Sequence, residues 1–180
     1  MAVQYYVASS IDGFIADADN KIDWLLQFGM EPYQEHYDRF IAGVGAIVMG
    51  SKTYEFLLDE GTESWPYAQI PTWVVTHREL PAIEGADVRF AAGDVGQVIQ
   101  DAREAAGDTN VWLMGGGDVA AQAADLELVD EFHLTLMPII LGKGAPLLPL
   151  AEPTRPLALL RHTLFESGAV ELVYSYHAAG

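Results

Sequence analysis

"VWLMGGGDVAAQ", residues 111–122, sets an apolar, β-rich run against three glycines and then an alanine-rich stretch suited to helix. An apolar run that ends in glycine and passes into helix formers is a strand–turn–helix unit, the repeating element of a parallel sheet. The same order recurs at "AIVMGSKTYE", residues 46–55, where Gly50 and Ser51 divide an apolar run from a helix-compatible segment. Further short apolar runs lie at Val3–Ala8, Thr72–Thr76, Val88–Ala91 and Glu131–Ile140. Such continuous runs suit strands covered on both faces. Between them Pro32–Ala42, Lys52–Leu58, Asp94–Ala106 and Asp118–Leu128 are predicted helices. Pro32 suits a first turn and Ser51 an N-cap, while Val95, Val98, Ile99 and Ala102 share one face before Gly107 stops the third helix. The alternation predicts an α/β domain with a mostly parallel sheet and right-handed crossovers. At the C-terminal end, Leu157–Phe165 and Ala169–Tyr176 flank "ESG" and read as an antiparallel hairpin, the "VELVYSY" stretch alternating as a half-exposed strand does.

The 180 residues are most simply one domain, 1–180, with enough chain to bury a full core. Acidic residues number 26 against 9 basic, a net charge of −17, so nucleic acid and anionic membrane surfaces are poor partners. An anionic ligand would have to be held by local devices: helix N-termini, backbone N–H groups and a few cations. With no cysteine there is no disulfide and no thiolate chemistry. The start "MAVQYYVASS" lacks the pattern of a secretory leader, and the longest apolar stretch is too short to span a bilayer, so a cytoplasmic protein is expected. "DADNKID" and "DEGTE" read as solvated loops. The five histidines show no metal-ligand spacing, no metal site is expected, and His133 in "EFHLTLMP" reads as a sheet residue. No G-x-S-x-G elbow is present.

Taken together, "YYVASSIDGFIA", "AIVMGSKTYE", "TWVVTHREL", "VWLMGGGDVAAQ" and "VDEFHLTLMPIILGKGAPLL" resemble the dihydrofolate-reductase-like superfamily. The nearer likeness is to the branch of the C-terminal reductase domain of the bifunctional riboflavin-biosynthesis deaminase–reductase. The resemblance runs from Gln4 to Tyr176. It implies a three-layer, mostly parallel sheet with an antiparallel C-terminal hairpin, NADPH as hydride donor (NADH or a flavin being the alternatives), a small planar heterocyclic substrate and a homodimer. By the same resemblance Gly50, Ser51, Lys52 and Thr53 face the cofactor phosphates at a helix N-terminus. Gly115, Gly116 and Gly117, with Asp118 and Val119, form a second phosphate and nicotinamide-side contact. Thr76, His77 and Arg78 follow the strand beside which an adenosine 2′-phosphate is held, and Arg78 has the forked donors such a group prefers.

The chain also departs from its relatives. Ser51 stands where an arginine is usual, Asp118 follows the glycines where folate-specific members carry arginine, and Met114 replaces the glutamate of the riboflavin reductases. No arginine lies between Phe40 and His77 to hold a folate carboxylate. The substrate is therefore left unassigned. Reduction of a C=N or C=O bond needs a proton as well as hydride. Asp12, in "SSIDGF", matches a Ser-x-Asp-Gly motif of the resemblance, and Glu35 is the nearest carboxylate to the position, Gln34, where the acid of dihydrofolate reductases falls. Trp24, Tyr54 and Trp65 are candidates to roof a planar ligand or to pack in the core. The alternative to a reductase is a non-catalytic nucleotide- or flavin-binding protein using the same cleft.

Overall fold

The computed structural model describes residues 1–59 and 65–177, so the "DEGTE" loop beyond Asp59 lies outside the described residues. In chain order the elements are β1 (Val3–Ser10), β2 (Phe14–Ala16), α1 (Asp23–Leu26), a 3₁₀ turn (Glu31–Tyr33), α2 (Gln34–Ile41), β3 (Val44–Gly50) and α3 (Ser51–Asp59). They continue with β4 (Thr72–Val75), β5 (Val88–Ala91), α4 (Val95–Ala106), β6 (Asn110–Gly115), α5 (Gly117–Asp125) and β7 (Glu131–Met137). The last three are β8 (Ala145–Pro146), β9 (Ala158–Leu164) and β10 (Val170–Ser175).

Eight strands form one sheet in the order β5-β4-β3-β6-β1-β7-β10-β9. The first six run parallel, and β10 turns back antiparallel between β7 and β9. This is the mostly parallel α/β sheet with a C-terminal antiparallel hairpin expected of the sequence. The strand order reverses where β6 returns between β3 and β1, which leaves a crevice beyond the carboxyl ends of those strands.

Helices cover both faces. On one side α4 and α5 bury Val95, Val98, Ile99, Ala102, Ala120 and Ala123 against Val3, Tyr5, Ala46, Val48, Val111 and Leu113. On the other, Tyr37 and Phe40 of α2 and Tyr54 of α3 pack with Ile47, Met49, Val74 and Trp112. Asp94 caps α4, its carboxylate accepting from the Gly96 N–H at 2.6 Å.

Several boundaries differ from the sequence reading for local reasons. The strand predicted to reach Ile140 ends at Met137, because Pro138 has no N–H to continue the ladder. Ser51 is the first residue of α3 and makes no cap, and Gly50 closes β3. Helix α5 starts at Gly117 and ends at Asp125, three residues short of the predicted Leu128. The β2–β8 ribbon pairs Phe14 with Pro146 and Ala16 with Ala145, and elements so short carry no readable periodicity. In β10 the expected polarity is reversed. Glu171 and Ser175 point to the buried side while Val170, Leu172 and Tyr174 are half-buried, because α2 reaches across and covers the polar face.

Candidate active site

The crevice opens into a cleft of about 1130 Å³. One wall is made by the ends of β3, β4 and β6 and the helices that follow them: Gly50 to Thr53, Thr76, His77 and Gly116 to Val119. The other is largely aromatic, with Tyr6 of β1, Tyr33, Tyr37, Trp112 and Phe165 beside Met137. Tyr6 stacks on Phe40 with centroids 4.1 Å apart, and the Trp112 indole N–H donates to the Tyr6 carbonyl at 3.2 Å. The wall is thereby anchored to the sheet.

The pairing of β3 with β6 sets the two glycine turns side by side. A Cβ on Gly50 would come within 3.2 Å of Val119 Cγ2 and 3.7 Å of the Gly116 nitrogen. Gly115 sits at φ 114°, a conformation that disfavours any side chain, and its peptide to Gly116 is cis. Gly116 and Gly117 have different surroundings. A Cβ on Gly117 would run into the Pro146 carbonyl oxygen, so α5 is seated directly under the β8 loop. A Cβ on Gly116 would meet nothing nearer than Thr53 Oγ1 at 3.9 Å and Ile15 Cδ1 at 4.0 Å, and would project into the cleft. That open backbone, next to the first turn of α3, is the form a diphosphate cradle takes.

Cations are few here. Lys52 is exposed at the cleft with no acidic partner among the described residues. Arg78 lies outside the cleft lining, and its guanidinium makes two hydrogen bonds to Glu55, at 2.9 and 2.6 Å. Those bonds and the Glu55 charge hold it firmly protonated. Thr76 Oγ1 accepts the Arg78 backbone N–H at 3.0 Å and shapes the turn after β4. Asp118 is exposed in the first turn of α5, where a carboxylate favours the helix dipole.

The two sequence candidates for a proton donor are placed elsewhere. Asp12 accepts the N–H groups of Leu141 at 3.0 Å and Gly142 at 2.6 Å, tying the turn after β1 to the loop after β7. A side-chain hydrogen bond from Ser10, followed by these backbone donors, keeps its carboxyl below the ordinary aspartate range, the wrong direction for an acid. Glu35 is 89% exposed on the outer face of α2, paired loosely with Arg39, and does not line the cleft. Trp24, Tyr54 and Trp65 are all buried; Tyr54 donates to the Pro81 carbonyl at 2.7 Å, and none of the three lines the cleft.

Behind the aromatic wall lies a polar cluster that sequence reasoning missed. Glu171 of β10 is fully buried, its Oε1 2.8 Å from His36 Nε2 and 3.7 Å from His133 Nδ1. On the far side of His133, Nε2 meets Glu131 Oε2 at 2.7 Å, and Gln4 donates to the same oxygen at 2.9 Å. Arg161 Nη2 stands 3.5 Å from His133 Nδ1. Burial alone would lower the His133 pKa, but the hydrogen bonds and charges of Glu131 and Glu171 outweigh it and raise it. Glu131 falls to about 2, chiefly through its hydrogen bond with His133. Burial pushes Glu171 up, yet its two histidine partners hold it below the usual carboxylate range. His36 stacks beside Tyr6 and edge-on to Phe165, both of which line the cleft. Burial, then the nearby Glu171 charge, keeps the Tyr6 hydroxyl protonated far above its ordinary value. One signal was available: Glu131, His133, Thr135 and Met137 alternate onto one face of a single strand.

The RibD C-terminal domain family matches residues 58–170. This chain belongs to that family. YwjB of Bacillus subtilis, an uncharacterized protein, is 30% identical over 142 residues, 79% of each chain. A solved protein of Shewanella sp. PV-4, provisionally named for riboflavin biosynthesis, superposes with a TM-score of 0.77 at 25% identity, covering 97% of this chain and 98% of that one. Dihydrofolate reductase from Enterococcus faecalis, solved with NADP(H), matches at a TM-score of 0.65 and 16% identity over 97% of this chain and 95% of its own. The fold is therefore dihydrofolate-reductase-like. Among the described residues no helix is long and apolar enough to cross a membrane, and no cluster of side chains could hold a metal ion.

Proposed function

We propose that the protein is an NAD(P)H-dependent reductase that passes hydride to a small planar heterocycle, with NADPH as the preferred donor. The carrying observation is the juxtaposition of Gly50 and Gly116 on adjacent strand ends, opening into one cleft whose opposite wall is aromatic. A reduced nicotinamide, when bound, supplies the hydride. The N–H groups at the start of α3 and α5, with Lys52 and Thr53, would hold its phosphates, and Gly116 leaves room for it to approach the backbone. Thr76, His77 and Arg78 would take the adenosine end. Tyr6, Trp112 and Phe165 would orient a planar acceptor and exclude water. The Tyr6 hydroxyl, held protonated on that wall, would donate a hydrogen bond to the acceptor. The exposed leucines of the sheet-edge strand β9, Leu159 and Leu164, support a homodimer. The cytoplasm, where the reduced nicotinamide pool is kept, is the compartment this activity needs.

Thermal denaturation with and without nucleotide tests the reading. At a hundredfold excess over Kd, ligation adds about 2.7 kcal/mol, or roughly 5–11 °C in Tm for a chain of this size. A rise with NADPH exceeding that with NADH, and with FMN, is expected. A rise with FMN alone would favour a flavin-binding protein, and none with any nucleotide would refute both.

A further inference from the structure

Every group that can carry positive charge in the cleft lining lies on one side. Among the described residues these are Lys52 and His77, both on the wall formed by the ends of β3 and β4. The opposite wall has none. Tyr6, Tyr33, Tyr37, Trp112, Phe165 and Met137 are uncharged, and Arg39 on α2 points outward at 71% exposure against Glu35. Arg161 sits behind the wall against His133. Lys21 and Lys143, on neighbouring loops, are outside the lining. Residues 60–64 and 178–180 read Glu-Gly-Thr-Glu-Ser and Ala-Ala-Gly, so they contribute no cation either.

The charges that do face the cleft elsewhere are Asp17 and Asp118, and the chain as a whole carries −17. A phosphate or carboxylate on the acceptor would thus be desolvated against aromatic rings and repelled at long range, with no donor of opposite charge to offset either cost. A neutral ring has the reverse balance. Aromatic faces stack on it, and the Tyr6 hydroxyl, with no protein partner among the described residues, remains to donate one hydrogen bond.

We infer that the substrate half of this cleft takes a neutral aromatic heterocycle carrying no phosphate or carboxylate, and discriminates against phosphorylated or carboxylated forms of the same ring. The assignment rests on reading the glycine-lined half as the cofactor half, but it is read through binding and not through turnover. Matched pairs test it by calorimetry on the protein saturated with NADP⁺: 6-methyl-7,8-dihydropterin against dihydrofolate, and a ribosylaminouracil against its 5′-phosphate. The neutral member of each pair should bind at least about tenfold more tightly, the difference made by one missing charge-assisted contact. Met30 lies at the mouth, 57% exposed, so Met30→Arg should leave Tm and neutral-ligand affinity unchanged while the anionic members gain about threefold or more. An anionic member that binds as tightly as its neutral partner, no neutral member binding below about 1 mM, or no gain in Met30→Arg would each overturn the inference. If NADP⁺ itself fails to bind, the cofactor reading falls, and the same pairs are scored on the free protein.

Discussion

Replacing Glu171 with glutamine changes one charge at a fully buried position and almost nothing in shape. The amide can still meet His36, but His133 is left with Glu131 as its single carboxylate partner. Removing one member of a buried ion pair costs about 3–5 kcal/mol, because the remaining charge is stranded away from water. At 2–4 °C per kcal/mol for a chain of this length, Tm should fall by about 6–20 °C. The pH dependence carries the sharper signature. His133 has a raised folded pKa, so its contribution is whole below its ordinary value of 6.5 and is lost as pH rises through the folded value. Glu131 titrates at about 2 when folded against an ordinary 4.5, so its contribution is whole above 4.5 and is lost as pH falls toward 2. Glu171, also depressed, acts in the same sense as Glu131. The wild type should therefore be most stable between about pH 4.5 and 6.5. Glu171→Gln should lose stability throughout and show a flatter decline on the alkaline side. Thermal and chemical denaturation at pH 5.5 and 8.5 read the Tm and the pH slope respectively. A Tm change below about 2 °C, or an unaltered alkaline slope, would refute the coupling of His133 to Glu171.

Gly116→Ala should fold normally, since φ there is −68° and the new Cβ meets only open cleft, yet it should abolish NADPH binding in a calorimetric titration. Gly117→Ala should do the opposite first, destabilising by about 1–3 kcal/mol as its Cβ meets the Pro146 carbonyl; equal Tm for the two variants would contradict the assignment. Glu55→Ala releases Arg78 from its two hydrogen bonds, so NADPH should gain about threefold in affinity while NADH is unmoved. Parallel changes in both nucleotides would argue against Arg78 reading a 2′-phosphate. Asp12→Ala should speed amide exchange at Leu141 and Gly142, whose N–H groups it accepts, and should leave the alkaline limb of the pH–rate profile in place. Loss of that limb would restore Asp12 as the proton donor.

The parallel sheet was legible because its signal is repeated. Strand–glycine–helix units at Gly50 and Gly115–Gly117 each reinforce the other, and Asp94 and Gly107 punctuate α4 as the local chemistry demands. The side of β10 that faces inward was not legible. Alternation shows that Glu171 and Val173 share a face, but water or protein can cover that face, and only the placement of α2 decides which. Counting back from Gly50 singled out Gln34 and Glu35, whereas the side chain that meets the buried Glu171 is His36, one residue on. A count of positions carries no information on which way a helix faces, and it is the packing of α2 on Glu171 and Phe165 that turns His36 inward. Asp12 illustrates a different limit. A Ser-x-Asp-Gly sequence suits a turn and an active site equally, and the Leu141 and Gly142 amides that claim its carboxylate come from a loop far along the chain.

The position of β1 has a consequence for the order in which the molecule can be made. Its neighbours on both sides, β6 and β7, come from residues 110–115 and 131–137, so Val3 waits for Val111 and Gln4 for Glu131. A nascent chain that has emerged only as far as α4 can pair β3, β4 and β5 among themselves, while the first strand has both edges open. The middle of the sheet is therefore completed late, only the β9–β10 hairpin following it, by contacts more than a hundred residues apart in sequence. Such a topology folds slowly and spends its early life with apolar edges exposed.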